Sequence, residues 1–73
     1  MEVILYTLPT CGICKVMKTK LFAKNIQFKE KNFEEIINAI HSDRAPALEI
    51  IKENGETIIY NTPSQIVEWI NQQ

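Results

Sequence analysis

Cys11 and Cys14, in "PTCGICK", are the only cysteines in the chain, and they stand three residues apart. A pair at this spacing can cycle between dithiol and disulfide, contribute half of a metal site, or clip the backbone. A clip would close a ring over residues 11–14 alone. In the chain-entropy description so short a ring stabilises by only about 2 kcal/mol before strain, and a small protein gains more by linking distant segments. A zinc site takes four ligands, usually from a second cysteine pair or from two histidines. The sequence has one histidine, His41, and no second pair, so a metal would have to be shared across a dimer. Dithiol exchange is the expected chemistry, with no metal and no bound cofactor.

That chemistry needs a particular setting. A free cysteine, with a pKa of about 8.5, is mostly protonated at neutral pH, whereas unpaired N–H groups at a helix N-terminus favour the thiolate. If Cys11 opens a helix it is the nucleophile, and Cys14, one turn deeper, resolves the mixed disulfide. Lys15 and Lys18 follow on the same helix, where they add positive potential or act as solubilising charges; the second role is the expectation.

The elements around the pair can be read from periodicity. "EVILYT", residues 2–7, is rich in β-branched and aromatic types, with Val3 and Leu5 on one face and Ile4 and Tyr6 on the other. A strand apolar on both faces belongs in the middle of a covered sheet. Pro9 and Thr10 stop it. Ile13, Val16, Met17, Leu21 and Lys24 then follow a 3.6-residue spacing, which predicts a helix from about Cys11 to Asn25. "IQFKE", 26–30, alternates and predicts a second strand with one exposed face, parallel to the first across a right-handed crossover. Asn32 and Glu35 form a capping-box signature opening a helix over "FEEIINAIHS", with Ile36, Ile37 and Ile40 inward and His41 as a cation near its C-terminus. "ALEII" and "ETIIY" read as strands joined through "KENG", where Asn54-Gly55 is a hairpin signal. Thr62-Pro63-Ser64-Gln65 opens a last helix with a capping box and Pro at its first position. Ile66, Val67 and Ile70 face inward there, and Trp69 packs at the margin.

The fold class is therefore α/β, in the order β-α-β-α-β-β-α: a four-stranded mixed sheet flanked by three helices, with residues 1–73 as a single domain. The turn after the first strand, the start of the third and the start of the last helix must meet. Eight basic and nine acidic residues, net charge −1, are spread along the chain. This argues against nucleic acid and membrane surfaces as partners. With no long apolar run and no basic start leading into an apolar segment, a cytoplasmic monomer is the expectation.

A strand, a C-x-x-C opening a helix, and an x-Pro just before a strand–hairpin–helix ending together resemble glutaredoxin, a member of the thioredoxin-fold superfamily. The resemblance covers essentially the whole chain. It implies that the Ala45-Pro46 bond in "RAPAL" is cis and faces the cysteine pair, and that Ala45 offers its backbone N–H and C=O to an extended substrate segment. It also makes Gly12, Ile13 and Arg44 substrate-contacting residues beside the catalytic Cys11 and Cys14. The chain departs from the family at several points. Gly12-Ile13 replaces Pro-Tyr, Leu8 stands where a basic residue precedes the pair, and Arg44-Ala45-Pro46 replaces Thr-Val-Pro. "YNTPS" replaces the Gly-Gly and acidic residue that open the last helix. Only that helix N-terminus, with Thr62 and Ser64, is left to bind an anion, and Arg44 is the candidate substitute charge. Cys-Gly-Ile-Cys-Lys also resembles thioredoxin's Cys-Gly-Pro-Cys-Lys, and the small redoxins that reduce ribonucleotide reductase are a close alternative.

The expected function is thus glutaredoxin-like thiol–disulfide oxidoreduction of protein or small-molecule disulfides. Glutathione or a thioredoxin reductase would be the external electron donor, and disulfide-containing proteins such as ribonucleotide reductase the partners. The alternative is a non-catalytic binding module that docks on a reductase or another protein through an apolar rim of Leu8, Ile13 and Tyr60.

Overall fold

Alternation along Glu2–Thr7 (β1) sends Val3 and Leu5 to one face and Ile4 and Tyr6 to the other, and every residue from Val3 to Thr7 is buried. Only a central strand can bury both faces. In the computed structural model, which describes residues 1–40 and 45–73, β1 is central. The remaining elements are α1 (Gly12–Ala23), β2 (Lys29–Asn32), a 3-10 turn (Phe33–Glu35), α2 (Ile37–Ile40), β3 (Ala47–Ile51), β4 (Thr57–Tyr60) and α3 (Pro63–Asn71). The four-stranded sheet runs β2-β1-β3-β4, with β1 parallel to β2 and antiparallel to β3, and β3 antiparallel to β4. Among the described residues no helix is long and apolar enough to cross a membrane.

Two cores follow from the two faces of β1. Val3 and Leu5 meet Met17 and Leu21 of α1, Leu48 and Ile50 of β3, and Ile66 and Ile70 of α3. Trp69 packs half-buried at the edge of this cluster, as expected. On the other face Ile4 and Tyr6 meet Phe33, Ile36 and Ala47. Each fully buried Leu, Ile or Phe side chain contributes about 1.5–3 kcal/mol relative to exposure.

The ends of α1 show where periodicity misleads. Its buried stripe is Cys14, Met17 and Leu21. Ile13 and Val16, expected on that stripe, are 48% and 50% exposed, and Lys24 is exposed. Cys14 takes the inward place of the first turn, as a small hydrophobe does, and this rotates Ile13 and Val16 outward. At the far end Asn25 adopts φ 57°, the left-handed cap conformation. Asn25 N donates to Phe22 O and Ile26 N to Leu21 O, both at 3.0 Å, which is a Schellman cap with its Leu21–Ile26 apolar contact. Ile26 therefore belongs to the helix stop. The strand expected at 26–30 occupies Lys29–Asn32 instead, with all four residues exposed. Ile26 and Phe28 pack half-buried on the first core without joining the sheet.

The helix expected at 33–42 is also shorter and tighter. The Asn32–Glu35 capping box forms, but it opens the 3-10 turn Phe33–Glu35, with α2 following after Ile36. Three residues per turn put Phe33 and Ile36 on one side, where both are buried, while Ile37 is half-buried. The Ile40 side chain, His41 and Ser42 lie outside the described residues.

The hairpin forms between the expected strands. Gly55 N donates to Lys52 O at 2.9 Å and Lys52 N to Glu56 O at 2.8 Å. The loop is thus three residues long, and Gly55 supplies the φ of 90° that closes it.

The pairing register brings the site elements to one end of the sheet. Thr7 pairs with Asn32, Tyr6 with Ala47 and Leu48 with Tyr60. The turn after β1, the residues leading into β3, the end of β2 and the start of α3 all lie at this end.

Candidate active site

The chain leaves β1 through a turn in which Cys11 N donates to Leu8 O at 3.1 Å. Pro9 occupies the second turn position, where its fixed φ is favoured. The turn delivers Cys11 as the N-cap of α1, with φ −89° and ψ 107°. Its sulfur does what a serine or aspartate oxygen usually does there: Sγ accepts the Cys14 N–H at 3.1 Å. Cys11 and Cys14 form a disulfide, their Cα atoms 5.3 Å apart, well inside the range such a bond spans.

The two sulfurs differ in access. Cys11 is partly exposed, Cys14 has 0% of its surface accessible, and Ile13 between them projects outward. Gly12 is exposed, with nothing within 4 Å of where a Cβ would lie. An incoming thiolate or disulfide can therefore reach Cys11 and not Cys14.

The disulfide lies in an open groove of about 330 Å³ between α1 and the end of β2. Thr7, Leu8 and Pro9 form one part of its wall, Lys15 and Lys18 of α1 another, and Glu30, Lys31 and Asn32 of β2 a third. Within it the buried Thr7 hydroxyl donates to the Glu30 carboxylate at 2.7 Å, and Lys18 Nζ lies 3.2 Å from the same oxygen. The Thr7 bond and then the lysine hold the Glu30 carboxyl below the usual carboxylate range, against the smaller opposing effect of burial. Glu30 is accordingly a fixed negative charge at neutral pH.

The other residues expected in the site divide. Gly12 and Ile13 sit with the cysteines. The Ala45-Pro46 bond is cis, and Pro46 leads into Ala47, the partner of Tyr6. Ala45 and Pro46 thus reach the same end of the sheet, but on the β3 side of β1, and they do not line the groove. Arg44 lies outside the described residues. Tyr60, expected on the rim, is half-buried against the first core, while Leu8 does line the groove.

Thr7, Glu30 and Lys31 were not legible as site residues. Glu30 enters the groove only through the parallel register that sets it beside Leu5, on the face that α1 covers, and no local pattern announces that. A larger apolar hollow on the outer face of α3, lined by Pro63 and Val67 among others, has Glu68 as its only charged group. Among the described residues no three side chains of metal-ligating type converge.

No protein-family model matches the chain, and no curated protein matches it in sequence.

Proposed function

We propose that the protein is a glutaredoxin-like dithiol–disulfide oxidoreductase with Cys11 as nucleophile and Cys14 as resolving cysteine. The observation that carries this reading is the asymmetric disulfide at a helix N-terminus. Its accessible sulfur accepts the Cys14 N–H at 3.1 Å, and its other sulfur is buried.

In the dithiol state the Cys14 N–H and the positive end of α1 favour Cys11 as thiolate. The Cys11 thiolate attacks one sulfur of a substrate disulfide. That S–S bond breaks, a mixed disulfide forms, and the first substrate thiolate leaves and takes a proton from solvent. Cys14 then loses its proton and attacks the Cys11 sulfur, expelling the second substrate thiolate. Two electrons have passed to the substrate, and the Cys11–Cys14 disulfide is closed. Two thiols of an external donor, from glutathione or a thioredoxin reductase, restore the dithiol. A reducing compartment such as the cytoplasm suits this cycle, and protein disulfides, that of ribonucleotide reductase included, are the proposed substrates.

The exposed pair Ile13 and Val16, one turn apart beside Cys11, favours contact with a protein over contact with a small charged tripeptide. It also supports the second reading, a docking module in which turnover is incidental. The deciding experiment is NADPH consumption with a small disulfide substrate, with glutathione and its reductase in one arm and thioredoxin reductase in the other. Turnover in either arm upholds the oxidoreductase and names its donor. Silence in both, with biological effect unchanged in a Cys11→Ser, Cys14→Ser double variant, leaves the docking module.

A further inference from the structure

The most exposed large apolar side chain among the described residues is Phe22, at 67%. Its ring centroid lies 5.3 Å from that of Phe28, and the two planes are tilted by 55°. Phe22, Ile26 and Phe28 line an open hollow of about 710 Å³, and Lys18 and Glu30 line it too. The same lysine and glutamate also line the groove that holds the disulfide. Hollow and groove are therefore neighbours, and the Lys18–Glu30 ion pair, at 3.2 Å, stands between them.

Helical spacing explains this alignment. Cys11 caps α1, and Lys15, Lys18 and Phe22 follow it at steps of four, three and four residues, which puts all of them on one stripe of the helix. The cap at Asn25 then turns the chain back, so that Phe28 returns beside Phe22. At a rise of about 1.5 Å per residue, Phe22 stands about 17 Å along the stripe from Cys11. An extended chain advances about 3.4 Å per residue and covers that distance in about five residues. A segment that brings a disulfide to Cys11 along this stripe therefore passes over the phenylalanines.

We infer that the hollow seats an apolar side chain of the substrate protein, about five residues from its reacting cysteine in an extended segment running along α1 from Cys11 to Phe22. This rests on the dithiol-exchange reading and names its substrate class. Lys18 and Glu30 satisfy each other's charge, so the residues that cross the pair need carry none. Selectivity comes from covering Phe22, which removes apolar surface from water. The tilted Phe22–Phe28 pair also offers ring faces and edges to an incoming aromatic side chain.

The test uses the Cys14→Ser protein and three peptides, each joined through its one cysteine to the same small thiol. The first carries Phe five residues to either side of the cysteine, the second carries Phe ten residues to either side, and the third carries Ser at all four places. The Cys11 thiolate attacks the peptide sulfur, the peptide's S–S bond breaks, and the small thiolate leaves and takes a proton from solvent. The first peptide couples faster than the other two by on the order of tenfold, which corresponds to about 1.4 kcal/mol. That advantage disappears in Phe22→Ser, a substitution at an exposed position. Equal rates for all three peptides, or equal gains from both Phe placements, overturn the inference and leave dithiol exchange standing. If no peptide reacts, dithiol exchange itself fails, and NMR titration with the first peptide, its cysteine replaced by Ser, decides the hollow. Shifts at the Phe22 and Phe28 amides uphold a surface for apolar segments, and shifts elsewhere or none overturn it. A dimer in analytical ultracentrifugation that is lost in Phe22→Ser means that a second copy covers the hollow, and this too overturns the inference.

Discussion

The Thr7 hydroxyl donates to the Glu30 carboxylate at 2.7 Å, tying the end of the central strand to its parallel neighbour on the wall of the groove that holds the disulfide. The bond joins residues 23 positions apart, and Lys18 of α1 completes it from the third side. Strand, helix and edge strand thus meet on one carboxylate beside Cys11 and Cys14.

Glu30 titrates below the usual carboxylate range because the anion is hydrogen-bonded and paired. A lowered carboxyl stabilises the fold above its unfolded pKa of about 4.3, and that contribution is lost as pH falls through the folded value. Glu30→Gln is expected to flatten the acid-side loss of stability, with a difference at pH 7 of less than about 1 kcal/mol for so exposed a pair. Urea midpoints of both proteins at pH 7 and pH 3 check this; parallel pH profiles would show that the network carries no charge-dependent stability.

Tyr6 donates from the second core to Glu49 at 2.8 Å, and burial, then this bond, push its phenol up to about 12. A raised phenol favours the neutral form in the folded state. Its contribution is complete below the ordinary pKa of about 10 and is lost as pH rises towards 12. Tyr6→Phe should cost about 1–2 kcal/mol near neutral pH, as the loss of a bond to a charged acceptor does. The absorbance titration of the wild type minus that of the variant should place Tyr6 near pH 12; a difference step at pH 10 would contradict its burial.

The unequal access of the two sulfurs predicts unequal trapping. Cys14→Ser should accumulate stable mixed disulfides at Cys11, while Cys11→Ser should react on the order of tenfold more slowly or less, since reactivity follows access and thiolate character. Mass spectrometry of each variant after exposure to a disulfide substrate reads this directly. Efficient trapping through Cys14 would reverse the assignment of roles.

Gly55 closes the β3–β4 loop at φ 90°, and a Cβ there would meet nothing within 4 Å. The cost of Gly55→Ala is therefore purely conformational, about 1 kcal/mol. Denaturant unfolding should show this loss with an unchanged slope, and a variant as stable as the wild type would mean that the hairpin closes another way.

What the sequence determined by itself is local. The alternation in Glu2–Thr7, the Asn32–Glu35 box, the Thr62-Pro63 helix start and the Asn54-Gly55 turn each act through neighbours along the chain, and each appears at its expected place. The Cys11–Cys14 spacing likewise suffices for a bond across the first helical turn. Local pattern misleads where a residue has two uses. Ile26 fits a strand by alternation but serves as the apolar member of a helix cap, and Cys14 supplies a sulfur while it also sets the buried face of α1.

Tertiary structure alone decided the surroundings of the sulfurs. Glu30 reaches the groove because β2 pairs with β1 in one register, and a shift by one residue would turn its side chain to the opposite face. The difference in access between Cys11 and Cys14 depends on how the first turn of α1 packs against the sheet. Pairing register and burial are properties of segments distant in sequence, set by the total apolar area the packed elements remove from water, and no short stretch of chain carries that information.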